Sequence, residues 1–212
     1  SAPVIIAGFG RVGQIVGRLL FSSGIKATVL DYEPDQIELL RRFGFQVHYG
    51  DATRMDLLES AGAAKAKILV AAIDDVEANL RLVDVARHNF PNLKIIARAR
   101  NVAHYFELLD RGVTDLERES FDSSLRIGRK VMESLGVHPA QAHVAAQAFR
   151  AFDLNLMKGL YAERGNEKVR ISLAKQARED ILRLFAEEEA RMKNPSDAWG
   201  TPEKPISAAS TS

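Results

Sequence analysis

Cysteine is absent from the 212 residues. That excludes a disulfide scaffold, a thiol nucleophile and any thiolate metal site, and it fits a reducing compartment. Long apolar runs are missing too. Nothing approaches 18 consecutive apolar residues, so the sequence offers no transmembrane helix. No charge of one sign dominates. The 29 Lys and Arg nearly cancel the 28 Asp and Glu, leaving a net charge of +1, and bulk electrostatics argue neither for nor against nucleic acid. The charge does not segregate along the chain either: 15 basic and 16 acidic residues fall in 1–119, and 14 and 12 follow. There is no basic n-region ahead of the first apolar run, so a signal peptide is not expected in these residues. The abrupt start at Val4 is what a piece of a longer protein gives.

Several catalytic patterns are also missing. The four tyrosines, Tyr32, Tyr49, Tyr105 and Tyr161, are followed four residues on by Gln36, Thr53, Leu109 and Gly165, never by lysine. There is no Gly-x-Ser-x-Gly, no Walker lysine and no His-Glu-x-x-His. The five histidines are scattered. Hydride transfer needs a positioned acid or base and a substrate pocket. A dehydrogenase fragment, the rival from the enzyme class, lacks both signals.

What is present is ordered. Short apolar runs at Val4–Ala7, Ala27–Leu30, Val47–Tyr49, Ile68–Ile73 and Lys94–Arg98 read as strands. A sixth is expected at Gly112-Val113-Thr114. Between them lie stretches with helical spacing, including Val12 to Leu20, Ile37 to Phe43 and Val102 to Asp110. Strict alternation with continuous apolar strands predicts a parallel sheet covered on both faces. After Arg118 the strand signal ends. Helices are expected from Ser120 to Leu135, from Pro139 to Phe152, and from Leu154 to about Met192 with a break at Gly165-Asn166.

The one motif with chemistry follows the first strand: Gly8, Phe9, Gly10, Arg11, Val12 and Gly13 form Gly-x-Gly-x-x-Gly between a strand and a helix. Gly8 permits the tight turn, Gly10 lets backbone approach a phosphate, and Gly13 brings helix and sheet together. The phosphate would meet free N–H groups at the helix N-terminus. Asp31 ends the second strand, 18 residues past Gly13, where a carboxylate accepts from both ribose hydroxyls and repels a 2′-phosphate. Asp51, Ala52 and Thr53, with Asp74 and Asp75, end strands three and four at the edge where such sheets bind ligands. Asp51 can equally cap the next helix, and Asp74-Asp75 also has the look of a paired-carboxylate metal site. The fold class is therefore α/β, a Rossmann-type doubly wound parallel sheet with a C-terminal helical extension. Its expected divisions are a nucleotide-binding domain at 1–118, the extension at 119–192 and a disordered Pro- and Ser-containing tail at 193–212.

Longer strings carry a resemblance. Val4 to Gln14, Tyr49-Gly-Asp-Ala-Thr-Arg-Met-Asp56, Leu57 to Lys65, Ile95-Ile-Ala-Arg-Ala-Arg100 and Ser134-Leu-Gly136 resemble the KTN (RCK) regulatory domains of potassium transporters and channels. Over 4–190 the chain is similar to the cytosolic C-terminal domains of bacterial Kef glutathione-gated potassium efflux systems. The resemblance implies a regulatory domain rather than an enzyme, with AMP, or NAD or NADH, in the nucleotide site and glutathione or its adducts as gating ligand. It implies a homodimer at the cytoplasmic face of the bacterial inner membrane, beneath a K+/H+ antiporter unit of the same chain. A flavin-containing, quinone-reductase-like ancillary subunit is a further implied partner, and nucleic acid is not. Arg18, Phe43 and Arg118 match the family's glutathione contacts, and two carboxylates on glutathione suit guanidinium forks. Asp153 stands where the family pattern has an asparagine. Asn155 can substitute for it, or Asp153 can meet the ligand's ammonium. The neighbouring reading is a channel RCK domain that answers to nucleotide or cation and ignores glutathione.

Overall fold

The apolar run Val4–Ala7 becomes the central strand β1, buried along its whole length. Its alternation serves two faces: Val4 and Ile6 pack on one side of the sheet, Ile5 and Ala7 on the other. The computed structural model describes residues 2–33, 40–41 and 44–193. β1 is followed by α1 (Arg11–Ser22), β2 (Ala27–Asp31), β3 (Gln46–Tyr49), α2 (Met55–Ser60), β4 (Ile68–Ala71) and α3 (Val76–Asn89). Then come β5 (Lys94–Ala99), α4 (Val102–Asp110), β6 (Asp115–Arg118), α5 (Phe121–Ser134), α6 (Pro139–Ala162) and α7 (Glu167–Lys193).

The six strands pair in parallel in the order β3-β2-β1-β4-β5-β6. The chain runs outward from β1 to β3, returns to the middle at β4 and runs outward again. The turning point between β1 and β4, where Ile6 faces Val29 on one side and Val70 on the other, is the switch at which open α/β sheets leave a crevice. One face is filled by Phe9, Leu40 and Phe45 with Val16 and Leu20 of α1. The other is filled by Leu58, Leu82, Val83, Ala86 and Leu108 from α2, α3 and α4. Each fully buried Leu contributes about 1.5–3 kcal/mol, which is why tertiary packing and not propensity holds a helix as short as α2.

Two expectations are corrected. The sixth strand begins at Asp115, not at Gly112. Gly112, at φ +75°, ends α4 instead, with the Val113 N–H donating to the Leu108 carbonyl at 3.1 Å. Val113 is apolar because it is the buried contact that accompanies this helix stop. The second concerns Phe152: α6 runs unbroken to Ala162, since nothing between Phe152 and Leu154 interrupts a helix. The break falls at 163–166, where the Asn166 side chain accepts from the Val169 N–H to begin α7. The expected helix from Ile37 to Phe43 lies largely outside the described residues, as does the expected tail beyond Lys193.

The chain divides into two compact units, Ser1–Asp122 and Ser123–Ser212. In the second, α6 and α7 pack on each other and bury Ala142, Ala145, Met157 and Ala177. Among the described residues no helix is long and apolar enough to cross a membrane.

Candidate functional site: a cleft at the sheet switch point

A cleft of about 230 Å³ opens at the C-terminal ends of β1, β2, β3 and β4. Its floor is made by close approach. A Cβ on Gly8 would lie 2.8 Å from the backbone of Ala72 and Ile73, and one on Gly13 would lie 2.0 Å from the Gly8 carbonyl oxygen. Neither position admits a side chain, so the Gly loop lies flat between β1 and β4. The Gly8 N–H donates to the Leu30 carbonyl at 2.9 Å. Gly10 caps α1 with no side-chain hydrogen bond, and the first helical bond is that from the Gln14 N–H to the Gly10 carbonyl at 3.0 Å. The N–H groups of Arg11, Val12 and Gly13 therefore precede the helical ladder and stay available to an anion.

Asp31 is buried at the end of β2, and its two oxygens accept from the Phe9 N–H at 2.6 Å and the Glu33 N–H at 2.8 Å. It ties the Gly loop to β2 while lining the cleft. Each carboxylate oxygen has a second lone pair left for a ligand hydroxyl. Asp51 also lines the cleft, but it caps no helix. Its carboxylate accepts from the Thr53 N–H at 2.9 Å and the Thr53 hydroxyl at 2.8 Å, and Arg54 is the cap residue of α2. Those bonds, the backbone one first, hold the Asp51 carboxyl below its ordinary range. Ala52 is buried beside it.

Asp74 and Asp75 divide their work. Asp75 is the N-cap of α3, accepting from the Ala78 N–H at 2.8 Å. Asp74 accepts from Arg98 Nη2 at 2.6 Å, and Arg11 stands 3.7 Å away. Partial burial pushes the Asp74 carboxyl up. The bond from Arg98, with the charges of Arg98, Arg11 and Arg100, outweighs that and holds it low. As the paired carboxylates of the metal reading, the two are otherwise engaged, Asp75 with the Ala78 N–H and Asp74 with Arg98. Asn79, fully buried, donates to the Ala71 and Ile73 carbonyls at 3.1 and 3.3 Å and fixes the exit of β4.

The glutathione-matched residues that are described fall on separate elements. Arg18 is exposed on α1, between the exposed Ile15 and Leu19. Arg118 ends β6 with its guanidinium 4.0 Å over the Phe121 ring. Asp153 lies within α6, in the second unit. Phe43 lies outside the described residues.

Sequence reasoning missed Arg98 and Glu119. Arg98 is 4% exposed, and bonds from its Nη1 to Glu119 and its Nη2 to Asp74 join the ends of β4, β5 and β6. A lone arginine after Ile95-Ile96-Ala97 in a buried strand was a legible signal, because a buried charge requires partners. Tyr32, Glu33, Gly50 and Ala78 also line the cleft. They follow strand ends or open a helix and carry no motif of their own.

Comparison with known proteins places this geometry. Residues 4–116 match the TrkA-N domain model, and residues 123–199 match the model of the potassium efflux system KefB C-terminal domain. The glutathione-regulated potassium-efflux system proteins KefC of Escherichia fergusonii and Escherichia coli are each 50% identical over 185 residues, 87% of this chain. This chain spans only 30% of their length. The solved Kef CTD of Shewanella denitrificans in its AMP-bound form is 43% identical, with a TM-score of 0.70 over 75% of this chain and 97% of that one. The TrkA-N domain of the inner membrane protein ybaL from Escherichia coli is 26% identical, with a TM-score of 0.56 over 64% of this chain and 98% of that one. The chain belongs to the TrkA-N family, as a KefC-like KTN/RCK domain.

Proposed function

We propose that this domain binds an adenine nucleotide, AMP in the first instance, in the cleft between β1 and β4. In this reading it also binds glutathione or its adducts, and it thereby controls a potassium efflux unit in the membrane. The observation that carries the nucleotide half is the cleft itself. A Gly loop that admits no side chain, three free N–H groups at an uncapped helix start and a carboxylate at the end of β2 converge there. The 43% identity to a Kef CTD in AMP-bound form supports AMP for that place. The phosphate meets the Arg11–Gly13 N–H groups, and the ribose hydroxyls face Asp31. NADP is disfavoured by the same carboxylate. AMP, with one phosphate, is preferred over NAD or NADH, which need room for a second half.

The glutathione half rests on identity to KefC and on Arg18, Phe43 and Arg118. A homodimer, the antiporter unit and a flavin-containing ancillary subunit belong to the same reading, as does a place at the cytoplasmic face of the membrane. The domain performs no chemistry in it. Glutathione favours one arrangement, and an adduct with a bulky sulfur substituent favours another through differential affinity. Asp153, a carboxylate where the family pattern has an asparagine, favours a second reading: a nucleotide-stabilised RCK domain without glutathione control.

Thermal unfolding with AMP, NAD, glutathione and S-alkyl glutathione, singly and in pairs, separates the two. A ligand at a hundred times its Kd adds about 2.7 kcal/mol, and each kcal/mol moves the midpoint by about 2–4 °C. Additive shifts from AMP and glutathione are expected. A shift from nucleotide alone establishes the second reading, and no shift from any nucleotide overturns both.

A further inference from the structure

Two carboxylates, Asp74 and Glu119, meet a group of arginines beside the cleft. Arg11, the first residue of α1, reaches Glu119 at 2.9 Å and Asp74 at 3.7 Å. Arg98 holds the same two carboxylates from beneath. Asp74 lines the cleft and Glu119 does not. The Arg11 guanidinium, whose neighbour Asp74 lines the cleft, is thus held by a carboxylate that no ligand supplies. A third cation, Arg100, donates from its Nη1 to the Asp74 carbonyl at 2.9 Å, so Glu119 is the carboxylate an arriving phosphate competes with in a site already rich in guanidinium. Glu119 is well covered, with a side chain 16% exposed, whereas Arg11 is 67% exposed. Of the two, Arg11 is the one free to swing.

We propose that Glu119 is a built-in occupant of the arginine that the nucleotide phosphate needs. Binding of the phosphate draws Arg11 off Glu119, and Glu119 is left to Arg98 alone. This rests on the nucleotide reading of the cleft and adds a competitor to it. Glu119 also continues the ladder beyond β6, its N–H donating to the Ala99 carbonyl at 2.9 Å. Three residues later the chain passes from the first compact unit to the second. Phosphate occupancy is thereby felt at the end of β6, next to Arg118. By reciprocity, whatever draws Glu119 away from Arg11 raises phosphate affinity by the same factor.

The test is calorimetric titration of AMP and of adenosine, which lacks the phosphate, into the wild type, Glu119→Gln, Arg11→Gln and the double variant. The glutamine amide oxygen still accepts from Arg98 but no longer competes by charge. Glu119→Gln is expected to tighten AMP about two- to fivefold, the range of a partly exposed ion pair, with adenosine unchanged. In the Arg11→Gln background the same change is expected to do nothing, as a double-mutant cycle requires. An AMP affinity that is unchanged or weaker in folded Glu119→Gln, an equal gain for adenosine, or a gain that persists without Arg11 would overturn the proposal. If Glu119→Gln does not fold, the Glu119 carboxyl carbon resonance of the wild type decides: AMP shifts it if Arg11 leaves, and an unmoved resonance sinks the idea. Wild-type protein that binds neither AMP nor adenosine overturns the nucleotide reading and this proposal with it. AMP binding without the Glu119 effect overturns the proposal alone.

Discussion

Single residues here do work that their neighbours cannot share. Gly13 is one: any Cβ would meet the Gly8 oxygen at 2.0 Å, and backbone at that distance has to move. Gly13→Ala is expected to lift α1 from the sheet, lower the unfolding midpoint by several degrees and abolish AMP binding. Differential scanning fluorimetry with and without AMP reads both effects. His104 is another. It is 1% exposed on α4, and its Nδ1 accepts from the Arg100 N–H at 3.1 Å, so the neutral ring keeps its proton on Nε2. Burial first, then the charges of Arg98 and Arg111, pushes its pKa below the ordinary histidine value. The unfolded chain takes up this proton below about pH 6.5, before the folded one does. Stability is therefore full above that pH and falls as the pH drops through it, by about 1.4 kcal/mol per unit at most. Urea midpoints between pH 5 and 8 should show this fall in the wild type and a flatter profile in His104→Gln.

At the scale of elements, caps and ligand contacts separate. Asp75 caps α3 through the Ala78 N–H, while Asp51 closes a turn on Thr53 without capping α2. Asp75→Ala is expected to cost about 1 kcal/mol, and Asp51→Ala less, in chemical denaturation without nucleotide. The chain's order was legible at this scale because its strands are short continuous apolar runs bounded by Gly or Asp. The sixth strand was not. Asp115-Leu116-Glu117-Arg118 alternates at an edge, while the apolar Val113 just before it belongs to the end of α4. The cleft residues Gly8, Gly10, Asp31, Asp51 and Asp74 were legible because motif and strand ends coincide there. The Arg98–Glu119 contact was not, since 21 residues separate the partners and only the β5–β6 pairing brings them together. The glutathione-matched residues came from resemblance alone, and no pattern in the sequence sets Arg18 apart from other exposed helix arginines.

At the scale of the whole molecule, the sheet order ranks the strands. β1 and β4 are paired on both sides, and β3 and β6 on one. Hydrogen exchange is expected to be slowest at Ile5, Ile6, Leu69 and Val70, and faster along β3 and β6 by orders of magnitude, as local opening at edges predicts. Uniform protection across all six strands would contradict this.

The same order bears on the proposed homodimer. An open sheet has two unpaired borders, and a border that is flat and apolar recruits strands from other chains. Here one border reads Gln46-Val47-His48-Tyr49 and the other Asp115-Leu116-Glu117-Arg118, with polar side chains at alternate positions and neither strand fully buried. Four residues of that kind make a poor template for strand addition. In the proposed homodimer, helix surfaces such as the one bearing the exposed Ile15 and Leu19 would serve association better than either border. Assembly that adds side chains to side chains can be reversed by a ligand, whereas a shared sheet would lock the copies together.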